Sequence, residues 1–92
     1  MMTIDDSNRQ LLRIANLGVE AEVWWQSEVG RHIEKSLEED INANLEMLKV
    51  AEGDDVVKIQ NIIRELEYLP RRINDLILAG NEAIQILDDQ EN

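Results

Sequence analysis

One run of the chain leaves few folds open to it. From Ile59, the residues Ile62, Leu66, Leu69, Ile73, Leu76, Gly80, Ala83 and Leu87 recur at alternating spacings of three and four. That spacing returns side chains to one face of an α-helix, whereas a strand repeats every second residue. Ile63, Ile77 and Ile84 sit beside this seam. A seam with an added flank is what a bundle helix needs. The chain is therefore expected to be all-α.

Pro70 interrupts the seam. Proline removes a backbone donor and clashes with the preceding turn, at a cost of about 3 kcal/mol in a helix interior. Yet the phase is the same on both sides of it, which points to a kinked continuous helix over about 55–87. Glu67, Arg71 and Asp75 stand four apart, placed to brace the outside of the kink. Asp54 and Asp55 put carboxylates at the positive end of this helix. The polar tail, residues 88–92, is expected to fray.

Two further helices precede it. Ser7 and Gln10 stand three apart, as in a capping box, and Leu11, Ile14, Gly18, Ala21 and Trp25 follow on one face, widened by Leu12, Ala15 and Val19. This predicts a short N-terminal helix over about 7–26. Ser27 is a good N-cap for a second helix over about 28–52, so the chain either bends near Gln26-Ser27 or runs straight through. The second helix carries Val29, Ile33, Leu37, Ile41, Leu45 and Leu48 as its stripe, and Gly53 suits its close. The expected architecture is a short helix leading into an antiparallel helical hairpin within a single domain over 1–92. A domain this small buries a modest share of its surface, so completion of a bundle by oligomerisation is expected.

Charge narrows the partners. The formal net charge is −11, which argues against direct nucleic-acid binding, because a phosphate backbone calls for a basic surface. It also disfavours an anionic membrane. The chain has no cysteine, hence no disulfide framework and no cysteine metal site. With no apolar run of membrane length and no secretion-signal pattern at the start, a soluble, cytoplasmic protein is expected.

The stretch GVEAEVWWQSEVG holds both tryptophans, in a chain whose one other aromatic is Tyr68. Trp25 falls on the apolar stripe of the first helix and is expected in the core. Trp24 lies about 100° away, either on the shoulder of the core or free to touch another chain. Gly80 and Ala83 open a small-residue window late in the third helix. A close helix crossing fits there, or a bulky side chain such as Trp25.

Chemistry is thinly represented. A di-metal bundle needs Glu-x-x-His pairs from facing helices. The single histidine, His32, follows Glu28 by four residues rather than three. Glu38-Glu39-Asp40 and Gly53-Asp54-Asp55 lack calcium-loop spacing. There is no phosphate-cradling glycine loop and no nucleophile–base set. No cofactor, metal or small-molecule substrate is expected.

Two resemblances bear on function. IDDSNRQLLRIANLG is similar to the opening of the small all-helical chorismate mutases, which implies an active site of several arginines and a lysine. Gly18 stands where that motif would carry an arginine, and the later cationic residues are missing, so an anionic substrate would meet no electrophiles. No enzyme is expected. The second resemblance covers most of the chain. Leu17-Gly18, an aromatic near Trp24, Ser27, Val29-Gly30-Arg31 and the late Leu76-x-x-x-Gly80-x-x-Ala83 resemble small helical proteins encoded in tailed-phage genomes. Pro70 departs from that pattern. The resemblance implies a phage or prophage origin and brings no catalytic residues.

The functional expectation is a non-enzymatic helical assembly or interaction protein, a homo-oligomer or the companion of a larger protein, with a virion or packaging accessory as one home. Its expected packing and interaction residues are Trp24, Trp25, Ile59, Ile62, Leu66, Leu69, Ile73, Leu76, Gly80 and Ala83. The alternative is an acidic phage inhibitor that occludes a basic, nucleic-acid-binding host protein.

Overall fold

The computed structural model describes residues 4–91. Three helices account for nearly all of them: α1 (Ile4–Gln26), α2 (Glu28–Val50) and α3 (Asp54–Glu91). Among the described residues there is no strand. None of the described helices is long and apolar enough to cross a membrane.

α3 is the backbone of the molecule. Its 38 residues give a rod of about 57 Å at about 1.5 Å per residue, and the longest axis of the protein is 57 Å. The helix is continuous through Pro70. Arg71 reaches back one turn to Glu67 at 3.2 Å, an exposed pair that adds a few tenths of a kcal/mol. α1 and then α2 lie along α3, and the α1–α3 contact is the most extensive of the three helix pairs.

That contact is set by glycine. A Cβ placed on Gly18 would lie 2.8 Å from the Cα of Gly80 and 2.9 Å from the carbonyl oxygen of Leu76. A Cβ on Gly80 would lie 2.8 Å from the Cα of Gly18. The two backbones therefore touch with no side chain between them. Ala15, Ala21 and Ala83 are buried around the crossing. Glycine inside a helix is less favourable than alanine by about 1 kcal/mol, and close approach is what offsets that here. Trp25, two turns beyond Gly18, shares a groove with Pro70 and Asn74, which precede Gly80. α1 and α3 thus run in opposite directions.

Three boundaries differ from the sequence expectation: the start of α1, the end of α2, which closes at Val50 rather than at 52, and the end of α3. α1 begins at Ile4 rather than 7 and, at 23 residues, equals α2 in length; it is not a short lead-in. Ser7 is therefore inside the helix and is not its cap. Asp6 falls in the first turn, where a carboxylate suits the helix dipole. At the other end α3 stays helical to Glu91 instead of fraying from 88. With Gly18 opposite Gly80, the first turns of α1 lie beside the last turns of α3, and Leu11 and Leu87 are both half-buried. The α2–α3 turn is as short as expected. Gly53 takes φ 61°, the left-handed region that favours glycine, and the amide of Val56 bonds its carbonyl at 3.3 Å.

The interior is thin. Among the described residues the buried apolar ones are Ala15, Ala21, Ile59, Ile63 and Ala83, and no large side chain is fully buried. The accessible surface is 7337 Å², whereas a compact monomer of 10.6 kDa exposes about 5,500 Å². The radius of gyration is 18.7 Å against about 12 Å for a compact chain of this length.

Gly80→Ala is expected to destabilise the protein by about 1 kcal/mol net. The overpacking cost of about 1–3 kcal/mol exceeds the gain of about 1 kcal/mol in helix propensity. A urea melt measures it, and an unchanged or raised midpoint would mean the helices do not cross this closely.

Candidate interaction surface

The tryptophans sit at a corner with a clear local cause. Ser27 leaves the helix at φ −67°, ψ 165° and is the single residue between α1 and α2. Its hydroxyl oxygen accepts from the Gly30 amide at 3.1 Å, the expected N-cap, while the hydroxyl donates to the Trp24 carbonyl. The Ser27 amide donates to the same carbonyl at 3.1 Å. Arg31 Nε donates to the carbonyl of Gln26 at 3.2 Å, so α2 returns a cation to the negative end of α1. Gly30 makes the corner possible. A Cβ there would lie 2.2 Å from the Trp24 carbonyl oxygen and 2.6 Å from that of Trp25. The run Ser27 to Arg31 is a bend, chemically specified residue by residue.

Beyond the corner the two indoles part in role. Trp25 is half-buried. It lines a groove with Leu37 and Ile41 of α2 and Pro70 of α3, where all three helices meet, and Glu34, Glu38 and Glu67 edge that groove. Trp24 is 40% exposed and stacks on Trp25, ring centroids 5.9 Å apart at 28°. The window at Gly80 and Ala83 takes the backbone of α1 instead of an indole. Trp25 is too far down α1 to reach it.

The seam of α3 is not used as one line. Two heptad lines run side by side along it: Ile62, Leu69, Leu76 and Ala83, and next to them Ile63, Pro70, Ile77 and Ile84. α1 crosses the C-terminal half of the first line, at Leu76 and Ala83, with Gly80 between them. α2 covers the N-terminal half of the second, at Ile63 and Pro70, with Ile59 buried one turn before. Leu66 and Ile73 are half-buried between the two zones, and Leu76 is half-buried at the crossing itself. The other halves are less covered, although Ile77 is half-buried. Ile62 is 43% exposed and Leu69 37%, and Ile84 at the far end is 38%. Ile62 and Leu69 thus lie at the surface of this chain and not in its interior.

The flanking helices add to the open faces. Leu12, Val19 and Val23, spaced seven and four, share a face of α1 and are exposed. Leu12 and Val19 were expected to widen the core stripe; α3 is too narrow a partner to cover both shoulders of α1. On α2, Met47 and Val50 are exposed and line an open cleft with Asp55, Lys58 and Ile59 of α3. Neither stood out in the sequence, because Met47 and Val50 fall outside the stripe of α2. The cue was their excess: α2 holds more apolar residues than one contact line can use.

No group of three or more His, Asp or Glu able to hold a metal ion occurs among the described residues. Compared with known proteins, the chain matches no family model, no curated protein and no solved structure.

Trp25→Ala is expected to lower the urea midpoint more than Trp24→Ala, since it empties the three-helix junction. The reverse order would move the junction to Trp24. Gly30→Ala is expected to cost more than Gly80→Ala in the same melts, because its Cβ meets two carbonyl oxygens that cannot retreat without opening the corner.

Proposed function

We propose that this is a non-enzymatic helical assembly protein whose working surface is the uncovered half of each heptad line of α3. A hairpin of α2 and α3, with α1 folded back along it, then forms half of a bundle that another helical surface completes. The observation that carries this reading is the exposure of Ile62, Leu69 and Ile84 in phase with buried residues of the same lines. Large contiguous apolar faces on a soluble chain mark places where proteins meet. Covering a few such side chains contributes several kcal/mol at about 25 cal/mol per Å², comparable with the whole stability of so small a domain.

The phage resemblance supports the same reading. Its elements coincide with fold-determining positions: Gly18, Gly80 and Ala83 at the crossing, Ser27, Gly30 and Arg31 at the corner. A tailed-phage virion or packaging accessory is the home we propose. The acidic-inhibitor alternative has less support. Arg31, Lys35 and Lys49 are exposed on α2 among Glu28, Glu38, Glu39 and Glu46, which breaks up the continuous acidic face that mimicry of nucleic acid requires.

Affinity capture with the tagged chain in low and high salt tests the reading. Apolar contacts are expected to survive about 1 M salt, where the Debye length falls to about 3 Å, and to be lost in Ile62→Glu. Capture that disappears in high salt but tolerates Ile62→Glu favours the acidic inhibitor instead.

A further inference from the structure

We infer that the surface covering the open heptad lines is a second copy of this chain, related by a two-fold axis perpendicular to α3. The inference rests on the assembly reading above and names its partner. The first argument is area. Two separate copies expose twice 7337 Å², while a compact particle of twice the 10.6 kDa mass exposes about 9,000 Å². The surplus is on the order of 5,000 Å², the scale that permanent homodimers bury, from about 2,000 to about 5,000 Å² or more.

The second argument is the placement of the gaps. The open part of the first line, Ile62 and Leu69, is in the N-terminal half of α3, beside α2. The open part of the second, Ile84, is in the C-terminal half, beside α1 with its exposed Leu12, Val19 and Val23. A perpendicular two-fold axis lays the N-terminal half of one α3 against the C-terminal half of the other. Each copy then fills the gap of its mate, as a self-complementary interface demands. Every cross-section of the pair contains four helices, two α3 with one α1 and one α2, the bundle for which the two lines are patterned.

The third argument sets a signature. Each copy carries a net charge of −11, so pairing works against repulsion that salt screens. Self-association therefore strengthens with salt, opposite to the capture of a basic partner.

Absolute mass by light scattering, over a hundredfold range of concentration and at low and high salt, tests the inference. The expected result is a dimer that is favoured by salt. Leu69→Glu and Ile62→Glu are expected to halve the mass while circular dichroism keeps its helical signal, because both side chains are already exposed in the single chain. Val57→Glu, on a face outside both lines, is expected to leave the dimer intact. If one of the first two variants loses helicity, the other supplies the reading. A wild-type monomer at every concentration overturns the inference, as does a dimer that dissolves in salt or ignores both variants. A monomer that still captures another protein through Ile62 leaves the assembly reading standing; one that captures nothing ends both.

Discussion

The backbone contact between Gly18 and Gly80 is the constraint on which the rest of the structure depends. It brings α1 against α3 more closely than any pair of side chains would permit, and it fixes which residues of α3 lie under α1. From that register follows the covering of Leu76 and Ala83, the arrival of Trp25 beside Pro70, and the placement of the first turns of α1 beside the last turns of α3. The contact also has a cost. Glycines and alanines bury little area, so the tightest contact in the molecule supplies little of the hydrophobic stabilisation that a larger side chain would bring. The thin interior is the direct result.

Pro70 fits this division of labour. It stands on the line that α2 covers, close to where α1 ends and α2 takes over. Here α3 changes partners, and the proline lines a groove with Trp25, Leu37 and Ile41.

The helical class and the approximate extent of α2 and α3 were legible in the three–four periodicity, and Ser27 announced the start of α2. Periodicity reports that a face is apolar; it does not report what covers it. Ile62, Leu69, Gly80 and Ala83 look alike on a helical wheel, yet two are buried and two exposed, because α1 ends before it reaches the first pair. The glycines were more informative than their small size suggests. Gly80 was read as a window, one of whose possible fillings was a helix crossing, and Gly18 proved to be its counterpart. The start of α1 and the end of α3 were not legible, since neither carries a strong local signal.

The two connections of this chain differ in what they can absorb. At Gly53 nothing lies within 4 Å of an added Cβ, while at Gly30 the carbonyls of Trp24 and Trp25 fill that space. One joint has room around its glycine and the other has none. α1 and α2 therefore behave mechanically as a single cranked arm: a twist applied at the end of one is passed through Ser27 to the other. Extra length can enter the chain between α2 and α3 as a longer loop, but an insertion at Ser27 would throw α2 out of phase with the line of Ile63 and Pro70.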